Sequence, residues 1–488
     1  MSERPGGASV GGDGEGRTPP GAGHAPGASE AGAPRSALAV GGGVPRPKVW
    51  AWAIWDWGTQ PFQTVITTFV FTVYLTGPAF GSTNFTSQAL SHAMTIAGIL
   101  VALLAPVLGQ NSDRTGRTVT HLRFLTYALV AVSAALFFVH PRPGDLWLGL
   151  ALLGLGSIIA EVANVNYYAL IDEVATPENV GRVSGFGWGM GYLGGIVVLL
   201  ALYVGFIQPE VGLFGVTGAD GLDIRVSMVG CAVWTILFTI PTFRALRDRP
   251  RPSAPRAGVL ESYRLLGRSI ARLWREQPNT LYFLGASALF RDGLAGVFTF
   301  GAVIAAGTFG FSSGQVIVFG AAANVIAGLS TIAFGVLDDR IGPKRVIMIS
   351  LAALVGLCVA LFVLHDGGPA VFWPLGLALT LFVGPAQSAS RSFLARLIPE
   401  GKSGEVFGLY ATTGRVVSAL SPAAFGLAIS LGAQVTGREN TQYWGILGIV
   451  AVLFAGLVVV AGVKDAPRAA GGGTTARLSA LHLRTKEG

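Results

Sequence analysis

The residues of this chain able to do chemistry are the few polar and charged ones set inside long apolar runs. Asp56, Gln60, Gln63 and Thr67 fall at i, i+4, i+7 and i+11, one polar stripe on an otherwise apolar helix, and Trp55 and Trp57 flank the aspartate. Ser157, Glu161, Asn164 and Tyr168 repeat the device in a fourth run. Arg291-Asp292 lies well inside a seventh run and Arg415 inside an eleventh, with Tyr410 nearer its start. Gln387, Ser390 and Arg391 stand close to the end of a tenth, and Asn324 stands alone in the eighth. A charge in hydrocarbon costs at least about 2.5–3.5 kcal/mol, so such groups face an interior and need partners. Together they suit a passenger carrying both charges. Arg415 or Arg291 can meet a carboxylate, and Asp56 or Asp292 an ammonium. Trp55, Trp57, Tyr168 and Trp188 can enclose an apolar side chain. Asp56, Glu161 or Asp292 can carry a coupling proton. The competing reading is that these charges only pair to hold helices together. It suits Arg391 and Arg396 best, which can snorkel to an interface, and it suits Glu161 as well as a functional role does.

Enzyme chemistry finds no footing. There is no complete G-x-x-x-x-G-K-S/T loop to cradle nucleotide phosphates, no Ser-His-Asp arrangement and no metal-ligand spacing. The six histidines are scattered; His92 could carry a proton but sits alone near a helix start. Neither a cofactor nor a metal is expected. Net charge is +8, but no basic run is interleaved with aromatics as nucleic-acid binding would require. Cys231 and Cys358 both lie in apolar runs, so no disulfide framework is expected.

The elements that must position these residues are membrane helices. Of 488 residues, 51% are hydrophobic and 12% charged, about half the usual charged share of soluble domains. Mean hydropathy is +0.58. The 69 glycines suit close helix packing in lipid. A span needs about 20 apolar residues. Such runs are expected near 49–76, 88–110, 119–140, 145–171, 181–207, 224–243, 280–308, 313–337, 344–364, 370–396, 404–431 and 441–463, twelve in all. Lys and Arg gather in alternate loops: Arg46 and Lys48, Arg114 and Arg117, nine arginines in 244–275, Arg340, Lys344 and Arg345, then Lys402, Lys464 and Arg468. The intervening loops at 77–87, 208–223, 309–312 and 365–369 have none; Arg142 and Arg438 break the pattern. Both termini are therefore expected on the cytoplasmic side of the cell membrane.

Residues 1–47, rich in Gly, Ala and Pro and without an apolar h-region, are expected to be a disordered tail and not a signal peptide. The expected divisions are 48–243 and 280–463 as two six-helix halves, 244–279 as a linker and 464–488 as a second tail. Within the linker, Val259–Gln277 reads as a helix. Leu260, Tyr263, Leu266, Ile270, Leu273 and Trp274 make its apolar face, and Arg264, Arg268, Arg272 and Arg275 its basic face. Such a helix lies on an anionic lipid surface or packs on the bundle.

One motif occurs twice. Gly109, Asp113, Arg114, Gly116 and Arg117 match Gly335, Asp339, Arg340 and Gly342, each pattern reading G-x-x-x-D-R-x-G between two apolar runs, with the aspartates 226 residues apart. The repeat makes the chain two copies of one unit. The glycines allow a tight turn, the basic residues hold it on the anionic side, and each aspartate can face a neighbouring helix N-terminus. In such a repeat Asp56 and Asp292 occupy comparable places and are expected to face each other across the pseudo-two-fold.

The twin turns resemble the loop signature of the major facilitator superfamily. Trp55-Asp56-Trp57-Gly58-Thr59-Gln60-Pro61-Phe62 resembles the opening helix of its vacuole-effluxer-like (autophagy-related permease) family. Tyr167-Tyr168-Ala169-Leu170 through Gly181-Arg182-Val183-Ser184-Gly185, with Trp188 and Gly191-Tyr192, is similar to that family's fourth and fifth helices. Gln387, Ser390-Arg391-Ser392, Phe407-Gly408, Tyr410, Gly414-Arg415 and Pro422 resemble its tenth-to-eleventh helix block. Departures fall at Gly58-Thr59-Gln60, Tyr167-Tyr168 and Arg291-Asp292, all near the expected cavity.

The resemblance implies an all-α membrane protein with twelve transmembrane helices in two pseudo-symmetric halves, working as a monomer. It implies secondary transport by alternating access, with helices one, seven and eleven lining the cavity. Its eukaryotic members are linked to amino-acid export from vacuoles, so the expected passenger is a small polar or zwitterionic solute, amino acids first, with proton coupling. Efflux of lipophilic cations by proton antiport is the alternative, and Arg415 and Arg291 count against it. A non-transporting receptor or scaffold is a second alternative, which would be expected to carry a folded soluble domain.

Overall fold

A computed structural model of the chain describes residues 46–249, 259–398, 402–437 and 441–465. The described residues are helical and form no extended strand, only an isolated bridge between Val211 and Thr217. Most of the expected tails, and residues 250–258 of the linker, lie outside this set.

Among the described residues, eleven stretches are long and apolar enough to cross a membrane, from Gln88–Thr115 to Gln442–Gly462. The first span is different. It runs as an α-helix over Arg46–Pro61, widens into a π-helix over Phe62–Phe69, and resumes over Phe71–Leu75. Pro61 has no N–H to give to the regular ladder, and the Val70 N–H bonds five residues back to the Val65 carbonyl at 2.9 Å. The polar stripe sits on this altered helix. With it the spans number twelve, six in each pseudo-symmetric half. The eleventh is also broken, into Ser403–Val417 and Leu420–Thr436.

The twin motif is less of a loop than its spacing suggests. The second span continues as helix through Thr115, so Gly109 and Asp113 lie in its last turns, and Gly116 ends it in the left-handed region at φ 62°. The eighth continues through Ile341 and stops at Gly342, at φ 92°. A connection of one or two residues suffices because the next helices restart at Thr118 and Pro343.

Across the halves, the second span packs on the eleventh and the fifth on the eighth. A Cβ on Gly109 would run into the carbonyl oxygen of Gly404, so glycine sets how closely the first of these pairs approaches. Gly335 and Gly185 do the same for the second.

The linker helix, Val259–Glu276, packs Leu266 and Leu273 into the bundle, and its Tyr263 hydroxyl donates to the Leu103 carbonyl at 3.0 Å. Leu260 and Trp274 stay exposed beside Arg264, Arg268, Arg272 and Arg275. The helix thus packs on the bundle and still offers an apolar and basic face outward.

Candidate functional site: a cross-half ion pair above a sealed end

The end of the bundle that carries the twin motif, here called the basic end, is sealed by reciprocal helix caps. Asp113 in the first half accepts the backbone N–H groups of Gly404 and Glu405, both at 2.8 Å, at the start of the eleventh span. Asp339 in the second half accepts those of Gly181 and Arg182, at 2.8 and 3.1 Å, at the start of the fifth. Each carboxylate meets the positive end of a helix dipole from the other half. Buried side chains add to the seal. Arg396 bonds Asp338 at 2.7 Å and Asp339 at 3.4 Å, Gln110 donates to Glu405 at 3.2 Å, and Ser403 bonds Asp172 across the halves. Ser392 donates to Asp338.

Deeper in the bundle, Arg415 of the eleventh span bonds Glu161 of the fourth at 2.6 Å, joining the two halves. Asn164 donates to the other Glu161 oxygen at 3.5 Å. The pair is partly open, with side chains 36% and 23% exposed. The charge of Arg291 also acts on Glu161. Arg291 itself donates to the Tyr410 carbonyl at 2.9 Å and lies 3.7 Å above the Tyr410 ring centroid. Glu161 is thus paired with Arg415, while Arg291 is held at Tyr410. The Tyr410 hydroxyl donates to Ser390 at 2.9 Å.

Asp56 is buried and accepts from Gln60 at 3.0 Å. Gly191 of the fifth span lies against both side chains. Trp55, Asp56, Thr59, Gln60, Gln63 and Asn164 line a small cavity between the first and fourth spans. Gln63 and Thr67 bond each other at 2.9 Å, within the π-helical stretch. Tyr168 is half-buried, its ring 5.8 Å from that of Phe407 across the halves. Gln387 is half-buried on the tenth span, Asn324 bonds its own helix at Gly320, and His92 is exposed.

Two expectations change. Asp56 and Asp292 do not face each other. Asp292 accepts the Ser421 N–H at 2.6 Å, and the Ser421 hydroxyl donates to its carbonyl at 2.9 Å. It caps the helix that restarts after the break in the eleventh span, a role invisible without knowing that the span breaks. Arg391 and Arg396 do not snorkel; they are 1% and 7% exposed. Arg391 sits among aromatic rings of the other half and bonds Ser184, where the sequence reading looked for an interface.

Among the described residues no group of three or more His, Cys, Asp or Glu side chains could hold a metal ion. A helical bundle in two related halves, polar at its centre and bridged by a cross-half ion pair, defines a secondary-transporter type of protein. Residues 172–466 match the profile described as vacuole effluxer Atg22 like, and residues 16–199 match that of the Major Facilitator Superfamily. The chain belongs to the vacuole effluxer Atg22-like family of major facilitators. A Bacillus subtilis relative, the uncharacterized MFS-type transporter YxiO, is 27% identical over 85% of this chain and 94% of its own length. The Aspergillus niger autophagy-related protein 22-1 is 27% identical over 56% of this chain and 47% of its own length, so the chain spans about half the length of such fungal relatives. The same fold occurs in the proton:xylose symporter XylE, with TM-score 0.61 and 14% identity over 86% of this chain and 95% of that one. It also occurs in a bacterial homologue of the iron transporter ferroportin in its outward-facing state, with TM-score 0.61 and 14% identity over 85% of this chain and 98% of that one.

Proposed function

We propose that the protein carries a small zwitterionic solute, amino acids first, across the cell membrane by alternating access. The supporting observation is the Arg415–Glu161 pair, partly exposed and shared between the halves. A zwitterion can replace that pair charge for charge, its carboxylate on Arg415 and its ammonium on Glu161, so binding leaves no buried charge unpaired. Arg291, a second cation inside the second half, held at Tyr410, favours a passenger with a carboxylate over a lipophilic cation. The rings of Tyr168 and Phe407 meet from opposite halves, so they separate when the halves part.

In this reading the basic end is cytoplasmic, and the caps close this arrangement to the cytoplasm. Opening to the cytoplasm breaks the caps of Asp113 and Asp339 together. Asp56, held by Gln60 with no cation in contact among the described residues, is the carboxyl we assign to a coupling proton. The residues assigned here all come from a single chain, and we take the monomer as the working unit. The test is uptake and efflux in reconstituted liposomes against amino acids, sugars and drugs, with and without a pH gradient. Saturable amino-acid movement supports the reading; movement of lipophilic cations alone overturns it.

A further inference from the structure

Arg391 of the tenth span is a second-half residue held inside a box built by the first half. Its guanidinium carbon lies 5.0 Å from the ring centroid of Trp52, 5.2 Å from Tyr168, 5.7 Å from Trp188 and 5.8 Å from Tyr167. Its Nε donates to the Ser184 hydroxyl at 2.9 Å and its Nη2 to the Ser184 carbonyl at 2.6 Å. All five partners belong to spans one, four and five. Four rings within about 6 Å are the geometry that recognises organic cations.

The box is built independently of its occupant. Trp52 and Trp55 stack on Tyr167 at 4.5 and 4.4 Å, the Trp52 indole donates to the Tyr167 carbonyl at 3.1 Å, and the Trp55 indole donates to Thr126 at 3.1 Å. The Trp188 indole N–H, in the wall of the box, is buried with no hydrogen-bond partner among the described residues. The charge of Arg391 acts on Asp56, also in the first half, without an ion-pair contact between them.

We infer that this aromatic box is a cation-binding site that Arg391 fills while the basic end is sealed, and that a small organic ammonium group takes its place when the halves part there. The inference rests on the alternating-access reading but not on amino acids as the passenger. Parting the halves withdraws Arg391 with the tenth span and leaves Trp52, Tyr167, Tyr168, Trp188 and the Ser184 carbonyl together on the first half. Asp56 then loses the charge that acts on it, and a cation entering the box restores it. Arg391 is thus a built-in competitor: the box cannot hold a ligand and the sealed arrangement at once, which couples release of the ligand to closure.

The test is binding of methylammonium and tetramethylammonium to the purified full-length protein, read by tryptophan fluorescence and calorimetry with no gradient. Arg391→Ala empties the box, and we expect it to bind the probes about tenfold or more tightly than the original protein. Arg391→Lys keeps a cation in place and should leave the weak affinity unchanged. Trp188→Leu added to Arg391→Ala should remove the gain. The double variant Asp113→Asn/Asp339→Asn keeps Arg391 but loosens the seal, and it too should bind the probes more tightly. The inference is overturned if neither Arg391→Ala nor the seal variant binds better than the original protein. It is overturned equally if the gain survives Trp188→Leu. Because binding is read without transport, failure of amino-acid movement leaves this result intact, and failure here leaves the transport result intact.

Discussion

Asp113 and Gly404 stand in opposite halves and meet at 2.8 Å, the carboxylate of one accepting the backbone N–H of the other. Asp339 and Gly181 repeat the contact at 2.8 Å with the halves exchanged. One sequence motif, used twice, caps two helices reciprocally, so in the proposed cycle both caps form and break together.

Neutralising either aspartate should weaken the sealed arrangement by about 1–2 kcal/mol, since a charge-assisted cap becomes an ordinary one. That is a shift of roughly 5–30-fold in the balance of open and sealed forms. Asp113→Asn and Asp339→Asn should each slow transport severalfold in liposomes while protein in the membrane stays near its original level. Transport at the original rate by both variants would reduce the motif to punctuation between helices.

Asp56→Asn should abolish gradient-driven transport with the protein still reaching the membrane. Arg291 and Arg415 have other partners, Tyr410 and Glu161. Neutralising either should therefore not restore activity; the cation whose charge acts on Asp56 is Arg391. Recovery of transport in Asp56→Asn/Arg391→Gln would make Asp56 a charge partner and not the proton carrier.

Asp292→Ala should lower stability by about 1–3 kcal/mol, because the buried Ser421 N–H loses its acceptor. The readout is a fall in the thermal midpoint of the purified protein, with amino-acid affinity of the surviving folded fraction unchanged. A lost affinity with an unchanged midpoint would return Asp292 to the binding site.

The membrane orientation is open to a direct check. Phe214 is 94% exposed at the end away from the twin motif, and Glu276 is exposed at the basic end. In intact cells a cysteine at Phe214 should react with an impermeant maleimide and one at Glu276 should not. The opposite pattern would reverse the proposed orientation.

The helices were legible in the sequence because apolar runs, glycine stops and the repeated motif are local signals. The cap role of Asp113 and Asp339 was legible for the same reason, since an acid beside a helix start has a physical use wherever the partner lies. Arg391 was misread because its position near a helix end suggests an interface, and only the packing of Trp52, Tyr167, Tyr168 and Trp188 reveals the box. The cap made by Asp292 is not legible in the sequence, because its partner exists only through the break between Val417 and Leu420. The Arg415–Glu161 pair joins residues 254 apart in the chain, and nothing local to either residue marks the other as its partner.

The central claim is that the Arg415–Glu161 pair gives way to a molecule bearing both charges. Counterflow of a labelled amino acid in liposomes, challenged with the unlabelled amino acid, its methyl ester and its N-acetyl derivative, tests this most directly. Only the intact zwitterion should exchange, and Arg415→Gln and Glu161→Gln should each abolish that exchange. Equal exchange of the ester, which keeps the ammonium but lacks the carboxylate, would contradict the account.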